Sequence, residues 1–227
     1  MRSDSETHSP ATVDFADIKF AVVMVVVGLT LFFTKNFVPD AGLNRYVTDI
    51  IASFCCVAYI LHRARRHPER LDEWGLTTRL SPTGRIAGAG LVVLAFAGPA
   101  TLAFILGGRL SFSLSMVVSG LGYVWSAFAQ EFLLCSILAN ALARTRLFRG
   151  AWRVPAFAGV VFGLAHLLPE GFHWPHTPLM MGFTALVGFT VVFYFLRFRN
   201  LWPIVALHAI GFPMLTTWMD PITRTLG

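Results

Sequence analysis

Apolar residues recur in long blocks rather than in short alternations, and seven such stretches stand out, near 18–34, 46–62, 86–107, 121–143, 154–169, 178–196 and 201–218. Each is long enough for a helix, and most approach the ~20 residues that one bilayer crossing needs. The pattern predicts an all-α polytopic membrane bundle of about seven transmembrane helices. The fourth block begins earlier, at 111, and so runs for 33 residues, or about 50 Å of helix against a hydrocarbon core of about 30 Å. Ser119, Gly120 and Gly122 are a natural break. Residues 111–120 are therefore expected to form an eighth, interfacial or re-entrant piece. The sequence divides into a cytoplasmic tail over 1–17 and a single membrane domain over 18–227, with no internal repeat.

Composition removes several function classes. Of the 227 residues 56% are hydrophobic and 13% charged, about half the charged share of a soluble domain, with a mean hydropathy of +0.65. An ordinary cytosolic enzyme, a disordered chain and a nucleic-acid module are all excluded. The net charge of +6 reads instead as basic loops. Arg2, Lys19, Arg63, Arg65, Arg66, Arg70, Arg79, Arg85, Arg144, Arg146, Arg149, Arg153, Arg197 and Arg199 fall on one side. Only Lys35, Arg45, Arg109 and Arg224 fall on the other. The positive-inside rule then places the amino terminus in the cytoplasm and the carboxyl terminus outside.

Within the apolar blocks ionisable side chains are rare, and each is a functional candidate because a charge in hydrocarbon is costly. Glu131 is the acidic residue well inside a block, and His166 and His208 are the corresponding histidines. Asp49, at the start of the second block, has a structural reading at a helix N-terminus. Counted from the cytoplasmic helix ends, Glu131 and His166 each lie about 18 Å deep and His208 about 12 Å. Gly159 and Gly163 form a GxxxG one turn before His166, which permits close approach of a neighbouring helix. Cys55, Cys56 and Cys135 show no ligand spacing and read as small apolar helix residues. His173 and His176, in the polar link 170–177 with Trp174 as an interfacial anchor, read as a solvated loop rather than a metal site.

A carboxylate and two imidazoles at one depth support more than one chemistry. Glu131 can accept a proton from water while a histidine N–H stabilises an oxyanion, which is a minimal hydrolase. Two histidines and a carboxylate also suit a zinc or iron site, or a proton or metal path through a carrier. These readings stay open on the residues alone.

Three motifs in order carry a resemblance. The run Ala129-Gln130-Glu131-Phe132-Leu133-Leu134-Cys135 is similar to EExxxR. Phe162-Gly163-Leu164-Ala165-His166 is similar to FxxxH, and the apolar start Leu201-Trp202-Pro203 leading to His208 is similar to the helix that carries HxxxN or HxxxD. Trp74-Gly75-Leu76 echoes a short Gly-Leu signature ahead of them. Over about 72–212 the chain resembles the CAAX protease and bacteriocin-processing (Abi, CPBP) family of intramembrane endopeptidases. That resemblance implies a metal-independent glutamic protease with no cofactor, cutting a membrane-anchored or prenylated protein in the lipid bilayer, with no nucleic-acid partner. A bacterial cytoplasmic membrane is the expected location.

The resemblance implies that a motif-one Glu activates water with His166 while His208 stabilises the oxyanion; the first Glu is the family's activator, so Glu131, at the second, takes that task or the site is degenerate. Gln130 stands at the first Glu, Cys135 at the Arg, and Phe212 at the Asn or Asp, so one oxyanion donor worth about 3 kcal/mol is missing. Gln130 is a candidate replacement, and Phe162 a supporting residue. These departures keep a non-catalytic binding or immunity role as the alternative.

Overall fold

The computed structural model describes residues 14–37, 45–165 and 176–226, and among them every regular element is helical. The chain forms α1 (Phe15–Phe37), α2 (Arg45–Ala64), a single-turn α3 (Arg70–Glu73), α4 (Pro82–Leu106) and α5 (Leu114–Glu131). A π-helical segment (Phe132–Ala139) continues α5 into α6 (Asn140–Ala143), and α7 (Arg153–Ala165), α8 (His176–Phe198) and α9 (Trp202–Leu226) follow. The described part of each of the seven apolar blocks therefore lies on a helix or a run of helices. Three of these are long and apolar enough to cross a membrane, namely Pro82–Leu106, Leu114–Ala143 and Thr177–Phe198. The crossing number of seven is not established by length and composition.

Local chemistry explains the helix ends. Ser81 caps α4 by accepting from the Gly84 N–H, with Pro82 in the first turn where its missing N–H costs nothing. Gly107 closes the helix at φ 78°, a left-handed conformation that favours glycine. Ser113 caps α5 by accepting from the Met116 N–H.

The expected break at Ser119–Gly122 is absent. From Leu114 the helix runs on without interruption through these residues, so 114–120 are its first turns and not a separate piece. Gly120 serves packing instead: a Cβ there would sit 3.4 Å from the Ala209 carbonyl oxygen of α9. A glycine inside an apolar helix marks close helix approach as readily as a stop. The irregularity falls later, where the backbone widens into the π-helical segment immediately after Glu131. Such widenings concentrate at functional sites.

Three helix pairs frame the interior: α9 against α4, α9 against α5, and α7 against α8. The GxxxG of α7 faces α8, because a Cβ on Gly159 would meet the Ala185 carbonyl oxygen at 2.6 Å and one on Gly163 the Met181 carbonyl oxygen at 2.8 Å. α7 also touches the π-helical segment that follows Glu131. α5 receives α9, and the carboxylate and His208 meet across that contact.

The linker after α2 is tied into the bundle. Trp74 is buried, its ring edge-on to Phe132, and its carbonyl accepts from the Ser136 hydroxyl at 2.7 Å. Gly75 takes φ 73°, and a Cβ there would collide with Phe195 and the Arg199 carbonyl. Its own carbonyl accepts from the Leu201 N–H, and the Trp202 indole donates to the Leu76 carbonyl. The Trp-Gly-Leu run is thus a clasp that sets the start of α9, six residues from His208.

Candidate active site

Glu131 is the last residue of regular α5 and is 2% exposed. Its Oε1 lies 2.8 Å from His208 Nδ1, two turns into α9. Its second oxygen receives the Cys135 thiol at 3.5 Å, a weak donor placed there by the π-helical turn. The imidazole is held by aromatic rings as well: Tyr123 lies 5.6 Å away and Phe162 6.1 Å, both edge-on, with Phe212 at 6.5 Å. One nitrogen faces the carboxylate and three rings fix the plane, so Nε2 is the atom left for chemistry.

The pair sets an imidazole, through Nδ1, directly against a buried carboxylate.

A cavity of about 60 Å³ opens beside His208, lined by Pro99, Phe162, Phe183, Thr184, Gly211 and Phe212 among others. Thr184 spends its hydroxyl on backbone carbonyls of its own helix, so the cavity presents chiefly carbon to a ligand.

Several sequence expectations can be placed. Glu131, His208, Cys135 and Phe162 come together. Phe212 stacks face to face on Tyr123 at 4.5 Å, an aromatic partner at the position where the family motif has an amide or acid. Gln130 is not turned toward the carboxylate: its Nε2 donates to the Ser126 hydroxyl at 2.8 Å and to the Tyr123 hydroxyl at 3.2 Å. Adjacent residues on an α-helix point about 100° apart, so Gln130 and Glu131 cannot both face α9. His166, His173 and Trp174 lie outside the described residues, while His176 opens α8. Among the described residues no group of three His, Cys, Asp or Glu side chains is arranged to hold a metal ion.

Tyr123 is the site residue that sequence reading missed. Its signal was its spacing, eight residues and therefore two turns before Glu131 on one face of an otherwise apolar helix. No curated protein and no solved structure matches the chain. Residues 112–211, which include α5, Glu131, Phe162 and His208, match the family model described as Type II CAAX prenyl endopeptidase Rce1-like, in agreement with the CAAX protease and bacteriocin-processing resemblance of the motifs.

Proposed function

We propose that the chain is an intramembrane endopeptidase that hydrolyses a peptide bond of a membrane-anchored or prenylated protein with water activated by Glu131. The observation that carries this reading is the 2.8 Å contact between the buried Glu131 carboxylate and His208, inside the segment that matches a prenyl-endopeptidase family. Glu131 takes a proton from water as its oxygen attacks the scissile carbonyl carbon. His208 Nε2–H donates to the oxyanion that forms, a contribution of about 3 kcal/mol in a dry site. The proton held by Glu131 then passes to the departing nitrogen, the C–N bond breaks, and a carboxylic acid and an amine leave. His166 joins Glu131 at the water by the family resemblance. The apolar cavity beside His208 takes a hydrocarbon side chain of the substrate.

The test is turnover of a quenched-fluorescence prenylated CAAX peptide by protein in liposomes. Glu131→Gln keeps a hydrogen-bond partner for Nδ1 and removes the base, so it eliminates cleavage while helicity is retained. Cleavage by that variant would refute the assignment. The stacking of Phe212 on Tyr123 favours one rival, a non-catalytic member of the fold that binds a membrane partner. That rival requires biological function to survive His208→Ala in folded protein.

A further inference from the structure

Gln130 is an exposed amide on α5, one residue before the buried Glu131. Both of its Nε2 hydrogens are committed, one to the Ser126 hydroxyl at 2.8 Å and one to the Tyr123 hydroxyl at 3.2 Å. Those two bonds hold the amide nitrogen against α5. Among the described residues Oε1 accepts no hydrogen bond. The amide is also coupled to the dyad. The Tyr123 hydroxyl holds Gln130, the Tyr123 ring abuts His208, and His208 meets Glu131, in one unbroken line.

A membrane-embedded polypeptide must unwind before its peptide bond can reach Glu131. Unwinding frees backbone N–H groups, which are costly in a bilayer unless an acceptor replaces the lost carbonyl. We propose that Gln130 Oε1 is that acceptor: it binds one backbone N–H of the extended substrate beside the scissile bond, and substrate enters over the face of α5 that carries Gln130. The inference rests on the endopeptidase reading. It assigns Gln130 to substrate binding, not to proton transfer and not to the oxyanion.

The experiment uses a set of prenylated CAAX peptides in which each backbone amide flanking the cleavage point is N-methylated in turn, with protein in liposomes. One N–H···O bond is worth up to about tenfold in binding. Gln130→Met, which matches the side chain in length but lacks the acceptor, should raise KM about tenfold and leave kcat within about twofold. One N-methyl position should cost the native protein about tenfold and the variant less than about twofold. An unchanged KM, or N-methyl penalties that persist in full in Gln130→Met, overturns the proposal. Glu131→Gln is run in parallel: its retained cleavage, or no cleavage by the native protein, removes the endopeptidase reading and this inference with it. An inert Glu131→Gln together with undiminished penalties in Gln130→Met removes this inference alone.

Discussion

Two buried polar regions sit at different heights in the bundle, and they are wired in opposite ways. At the end formed by the linker and α6, each carboxylate is shared between cations. Asp14 pairs with Arg63 and with Arg70, and Glu73 pairs with Arg70 at 2.9 Å and Arg144 at 3.1 Å. Asn140 donates to the Glu73 and Ser136 carbonyls and accepts from Arg199. The side chains of Asp14, Arg63 and Arg70 are each 17% exposed, so water contributes as well. Glu131, by contrast, has one imidazole and one thiol, and that imidazole is flanked by aromatic rings. A carboxylate held by two guanidinium groups ties two chain segments at once, which suits it to fastening α1, α2, α3 and α6 together. A carboxylate set against an imidazole is the arrangement suited to general acid–base chemistry.

Breaking the dyad should have the largest effect. Glu131→Gln is expected to lower turnover of the prenylated peptide by about 10³-fold or more, at the upper end of general-base contributions, with an unchanged circular dichroism spectrum. His208→Ala should follow at about 10²–10³-fold in kcat. It should also lower the melting temperature in detergent, because it strands Glu131 without its partner.

The ionic cluster should respond in stability and not in catalysis. Asp14→Ala leaves Arg63 and Arg70 without a shared anion, a loss of about 1–3 kcal/mol after allowance for partial exposure, read as a lower melting temperature. Its kcat on the peptide should stay within about twofold of the native value. A matched fall in kcat would mean that the cluster and the dyad are coupled through α5.

The smallest effect is a pH dependence. Burial works to raise the Asp14 pKa, but the Ala16 N–H and the guanidinium groups of Arg63 and Arg70 outweigh it and hold the group below its ordinary 3.8. A depressed folded value means that the stabilisation is present above about 3.8 and disappears as pH falls through the lower folded value. The melting temperature should therefore fall more steeply below about pH 4 in the native protein than in Asp14→Asn. Equal slopes would show that Asp14 does not hold the cluster.

How much of this was readable in advance differs by element. α4, with Pro82 in its first turn and Gly107 at its end, follows the apolar block and its punctuation closely. Gly120 and Gly122 misled, since glycine has the same letter whether it stops a helix or lets α9 approach. The GxxxG of α7 announced a close contact without naming its partner, which proved to be α8. Glu131 and His208 stood out because ionisable groups in hydrocarbon are costly. Tyr123 did not, because a tyrosine in an apolar helix is common, and its importance comes from rings and hydroxyls on two turns and a second helix.

From the chain alone follow the helical class, the membrane setting and the short roster of candidate groups, because hydrophobicity and the price of buried charge are properties of local sequence. The pairing of Glu131 with His208, the outward turn of Gln130 and the widened backbone after Glu131 follow from how α5 and α9 rotate against each other. That rotation is set by the summed contacts of many side chains far apart in the chain. No single window of residues contains it.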